Sequence, residues 1–125
     1  MITNNDEDDE YRAKMAVPPA SAIPSSHSDL HRVLMKAFEQ SAKGKGQERH
    51  GNGKSFMEQP IMEIGRMVGM GYQTGQVMKK VQEATTMNER GQVQAAQAEL
   101  LGAIVYCAAA YLFLEERRQD VAKAV

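Results

Sequence analysis

The sequence has no tryptophan, one cysteine and an aromatic content of 6%. A single thiol, Cys107, excludes an internal disulfide and any zinc site built from several cysteines. Placed in an apolar run, Cys107 is expected to be a small core residue in a reducing compartment. A basic surplus is missing too: 15 Lys and Arg stand against 16 Asp and Glu, for a formal net charge of −1. That argues against general nucleic-acid binding, which needs cations to neutralise phosphates. The first ten residues are polar and acidic, where a secretory signal needs a basic start and an apolar stretch. The cytoplasm is the expected location.

Methionine, in contrast, is abundant at nine. Its flexible thioether fills irregular gaps, so most of these side chains are expected in the core. The competing use is an adaptable partner surface.

Residues 1–27 read as a disordered tail. Asp6-Glu7-Asp8-Asp9-Glu10 repels itself, and Pro18-Pro19 and Pro24-Ser25-Ser26 oppose regular structure. A helical domain is expected over 28–118, with a C-terminal fray at 119–125. The first helix is expected from about Asp29 to Ala42, capped by Ser26 or Ser28. Its apolar stripe is Leu30, Val33, Leu34, Ala37 and Phe38. A Gly- and Lys-rich loop follows at 43–55. The second helix starts near Gln59, with Pro60 in its first position and Ile61, Ile64 and Val68 on one face. Gly69-Met70-Gly71 ends it. Thr74 is the expected cap of a third helix, Gly75 to about Glu89, whose stripe is Val77, Val81 and Ala84. Lys79 and Lys80 fall off that stripe. Gly91 suits a left-handed C-terminal cap, and a fourth helix runs from about Gln92 to Arg118. The fold class is therefore all-α, a four-helix bundle-like domain.

Leu100 to Leu114 carries no charge. Fifteen residues fall short of the roughly 20 that cross a bilayer, so no membrane span is expected. A helix apolar all round must be buried all round. Three modest partners cover only part of it, so self-association into a homo-oligomer is expected. Gly102, Tyr106, Ala109 and Phe113 are the expected interface, with small residues allowing close backbone approach.

Gly53-Lys54-Ser55 matches the end of the phosphate-binding pattern G-x-x-x-x-G-K-[ST]. The first glycine would have to stand at position 48, which is Glu48, and no strand precedes it. What remains is a loop whose glycine N–H groups and cations could cradle an anion. The candidate ligand-binding set is Arg49, His50, Lys54, Tyr72, Lys79 and Lys80, with Tyr72 stacking on a base. His27 and His31 read as surface residues.

Lys79 to Thr86, a turn, and then Glu99 to Tyr106 resemble the core of the all-α nucleotide pyrophosphohydrolases of the MazG kind. That resemblance implies a magnesium-dependent hydrolase of nucleoside triphosphates, with E-E-x-x-E on one helix and E-x-x-D on the next. Glu83 and Glu99 match. Gln82 and Thr86 stand where glutamates belong, and Gly102 where the aspartate belongs, so catalysis is not the leading expectation and no cofactor is expected outside this alternative.

A broader resemblance runs over roughly residues 40–116. It is carried by Arg49-His50-Gly51, Phe56, Gln59-Pro60-Ile61, Gly69, Gly71-Tyr72, Gly75-Gln76, Lys79-Lys80, Glu83-Ala84 and Glu99 to Ile104. Together these are similar to a family of small uncharacterised proteins of tailed bacteriophages. It implies a viral protein acting in the host cytoplasm. The leading expectation is a non-catalytic accessory protein that sequesters a nucleotide-like anion or inhibits a host protein.

Overall fold

The computed structural model describes residues 9, 10, 16, 22–43 and 53–123. Most of the acidic tail and of the glycine loop, Arg49 and His50 included, lies outside the described residues. Among those described there are four α-helices and no strand: α1 (Ser28–Lys43), α2 (Pro60–Val68), α3 (Gly71–Glu89) and α4 (Val93–Lys123). The fold is all-α.

Local chemistry sets most of the boundaries. Turns of 3-10 helix at Ser25–His27 and Phe56–Glu58 lead into α1 and α2. Pro60 fits the first position of α2, where its missing N–H costs nothing. Gln59 before it is buried, and its side-chain amide donates to the Lys54 carbonyl at 3.1 Å, tying the loop end to the helix start. Gly69, at φ 99°, ends α2. At the far end of α3, Gly91 has φ 76°. The Gln92 N–H donates to the Met87 carbonyl at 2.8 Å and the Gly91 N–H to that of Asn88 at 3.0 Å. These are the two bonds of a Schellman cap, and they turn the chain straight back into α4.

Two boundaries differ from the sequence reading. The third helix begins at Gly71, not Gly75, because two residues suffice to turn the chain after α2. Thr74 is then inside the helix, and its hydroxyl donates to the Met70 carbonyl at 3.3 Å instead of capping. The fourth helix runs to Lys123 and takes in residues expected to fray.

Helices α3 and α4 form an antiparallel hairpin and share the largest helix–helix contact in the fold. Lys80 meets Glu99 and Tyr72 meets Tyr106, the pairing order of an antiparallel pair. Helices α1 and α2 pack on the same long helix: the Gln40 amide reaches the Ala98 carbonyl at 3.3 Å. Arg66 grips Glu116 with two hydrogen bonds, Nε to Oε2 at 3.0 Å and Nη2 to Oε1 at 2.6 Å.

The buried apolar set is small in both number and size: Ala37, Met62, Ala84, Ala96, Ala103 and Ala109. Five of the six are alanines, so the helices approach closely but remove little apolar surface from water. Several expectations about faces fail for this reason. Val68 and Val81 are exposed, along with Leu30, Leu34 and Phe38 of the α1 stripe, of which only Ala37 is buried. Of the described methionines only Met62 is buried, while Met35, Met67 and Met78 are exposed. The gap-filling role fails for these three. Cys107 is exposed as well, contrary to the expected core placement. An all-apolar helix does not announce which side its neighbours will cover.

At 31 residues α4 is about 46 Å long. By length and composition alone it could cross a membrane, which the uncharged run of fifteen did not suggest. In this fold Glu99 and Glu116 of that helix hold ion pairs to α3 and α2.

Candidate functional site

Two places in the fold gather candidate residues. The first is the seam between α3 and α4. Lys80 lies on the face of α3 that meets α4, at 25% side-chain exposure, whereas Lys79 beside it is 65% exposed. The sequence reading placed both lysines off the packed face. Lys80 is admitted because its stem runs along Gly102: a Cβ there would come within 3.2 Å of the lysine Cδ, Cε and Nζ. This is an amphipathic side chain burying its methylenes beside a small residue.

The Lys80 ammonium is 3.6 Å from Glu99 Oε2 and 5.7 Å from the centre of the Tyr106 ring. It therefore lies between a carboxylate, which it pairs with by charge and not by a hydrogen bond, and the negative face of an aromatic ring. Tyr106 in turn meets Tyr72 edge to face, with ring centres 6.1 Å apart. Burial first, and a hydrogen bond with Tyr72 second, push the Tyr106 phenol far above its ordinary value. It stays neutral throughout the physiological range.

This arrangement bears directly on the anion-binding set. Lys80 is already paired, Tyr72 is packed against Tyr106, and Lys79 faces Glu83 at 3.9 Å on the helix surface. Lys54 belongs to a different part of the fold, and Arg49 and His50 lie outside the described residues. The described members of the set do not converge on one ligand.

The magnesium alternative meets a similar obstacle. Magnesium takes several hard oxygen ligands, but Glu83 and Glu99 each face a lysine. Among the described residues no three His, Cys, Asp or Glu side chains gather. The donor set does not fit the metal.

Three of the four residues expected at an oligomer interface also find other uses. Gly102 and Tyr106 face α3 within the same chain, Ala109 is fully buried, and Phe113 is half-buried. The apolar face that α4 leaves open is a different one.

The second place is a groove of about 550 Å³ between α1, α4 and the Phe56–Glu58 turn. Its walls are chiefly Leu34 and Phe38 from α1, Phe56 from the turn, and Ile104, Val105 and Ala108 from α4. Among the described residues, Lys54 is the one charged residue lining it. A volume of this order suits a drug-sized body or a few side chains of a partner. The sequence carried a trace of this site: the α1 stripe and the α4 run were both recognised, but their meeting across Lys54 needed the tertiary fold.

The chain matches no known protein family, no curated protein and no solved structure.

Proposed function

We propose that this chain is a non-catalytic binding protein, self-associated in solution, that takes an apolar part of a partner protein into the groove beside Lys54. The observation carrying this reading is a contrast: large apolar side chains line an open groove, while Lys80, between α3 and α4, is paired with Glu99 and Lys79 faces Glu83 on the surface of α3. A nucleotide scavenger needs unpaired cations where phosphates would sit. A protein partner needs an apolar anchor pocket with a polar rim, which the groove resembles. Lys54 would receive an acidic residue of that partner. With the bacteriophage resemblance, the partner is a bacterial host protein and the site of action is the host cytoplasm.

The test is affinity capture from bacterial lysate with three baits: the unaltered chain, Leu34→Asp/Phe38→Asp and Lys80→Gln. The reading expects one partner that is lost with the first variant and kept with the second. Calorimetry against a panel of linear and cyclic nucleotides should give no heat. Nucleotide heat that survives the groove variant and disappears with Lys80→Gln would replace this reading with the nucleotide one.

A further inference from the structure

We infer that the outer face of α4 is the contact surface of an antiparallel homodimer, with Cys107 close to the two-fold axis. The inference rests on the self-association in the reading above and deepens it; its seam shares Ile104 with the groove.

Val93, Leu100, Cys107, Leu114 and Val121 recur at intervals of seven along one helix. All five are exposed in the single chain: Val93 at 54%, Leu100 at 45%, Leu114 at 47%, Val121 at 58%, and Cys107 with them. Gln97, Ile104, Tyr111 and Arg118 interleave to give alternating steps of four and three, the spacing of a coiled-coil seam. The stripe is roughly 42 Å long at 1.5 Å per residue. No charge appears on it from Val93 to Leu114. The fold buries none of these five residues in its own core; the buried residues of α4 are alanines, Ala109 opposite Cys107 and Ala96 and Ala103 along the flank of the stripe.

The order of the stripe identifies its occupant. Valine, leucine, cysteine, leucine, valine reads the same in both directions from Cys107. A two-fold axis across the helix near that residue brings Leu100 within a turn of the partner's Leu114, and Val93 within a turn of the partner's Val121. An isologous contact requires that kind of self-complementarity. A second copy running the other way supplies it with no further assumption. The parallel alternative aligns the two helix dipoles and sets Arg118 against the partner's Arg118 on the seam, both unfavourable.

Cysteine placement tests this, because the chain has one thiol and its removal leaves a clean background. Leu100→Cys and Leu114→Cys are each made with Cys107→Ser and treated with a short bifunctional maleimide, separately and mixed. The positions are exposed, so the protomer fold is expected to hold, and helicity by circular dichroism checks it. The inference expects cross-linked dimer in the mixture and little in either variant alone. Self-linking of Leu100→Cys overturns the antiparallel arrangement. A dimeric mass with no cross-link in any arm overturns the face while leaving self-association standing. A monomeric mass at all concentrations overturns both. Leu114→Glu, which places a carboxylate on the seam twice by symmetry, should weaken association by about a hundredfold or more.

Discussion

The two sides of α4 are built from different materials. Against its own chain it buries Ala96, Ala103 and Ala109 and lays Gly102 and Tyr106 along α3. Away from it stand Val93, Leu100, Leu114 and Val121. Small residues inside let the backbones close in, and helix contact is then made by dispersion over short distances. Large residues outside leave apolar surface that the single chain does not cover. The lesson is that this helix is placed by its inner face and leaves its outer one uncovered within the chain.

The comparison can be broken most sharply at the inner face. Ala109→Leu forces a large side chain into a site with no free surface and should cost about 3 kcal/mol in chemical denaturation. Cys107→Leu, two positions away on the outer face, should leave protomer helicity unchanged and strengthen association. Equal damage from the two would erase the distinction.

Close backbone approach is also what joins α2 to α3. Gln73 is buried, donates its amide to the Ile61 carbonyl at 2.9 Å, and sits directly against Gly65. A Cβ at position 65 would overlap the Gln73 amide. Gly65→Ala should therefore destabilise by about 2 kcal/mol, although alanine is the better helix former. A neutral result in a thermal melt would show that Gln73 can swing aside.

A smaller effect is expected at the Arg66–Glu116 pair. The double hydrogen bond to Arg66 holds the Glu116 carboxyl below its usual value, against the opposing effect of burial. A depressed carboxylate contributes stability above its unfolded pKa and loses it as pH falls through the folded value. Both side chains are about one-third exposed, so screening limits the effect to about 1 kcal/mol or less. Glu116→Gln should lower the melting temperature at pH 7, and the gap to the parent should close as pH falls through the depressed folded value. A gap that does not narrow with acidification would assign the loss to packing.

The smallest change is predicted for Gly102→Ala. Helix propensity favours alanine by about 1 kcal/mol, while its methyl must displace the flexible end of Lys80. The two should nearly cancel in stability, and the Lys80–Tyr106 contact should loosen, seen as a change in tyrosine fluorescence.

How much of this was legible in the sequence depends on the kind of residue. Pro60, Gly69 and Gly91 marked helix ends because each has a backbone requirement that few residues meet. Gly71 misled for the same reason: it looks like part of the break after α2 but opens α3. The α4 run announced a helix with uncovered surface, yet not which surface, since an apolar stretch has no polar side to orient it. Lys80 was unreadable because its burial depends on Gly102, a residue 22 positions further on. The groove needed α1 and α4 side by side, and no periodicity records that.

The most direct measurement is the mass of the protein by light scattering across a dilution series, for the parent chain and Leu114→Glu. The account predicts twice 13.8 kDa for the parent and the single-chain mass for the variant, with helicity retained. A parent chain that stays at 13.8 kDa at every concentration, its outer α4 face open to water, would contradict it.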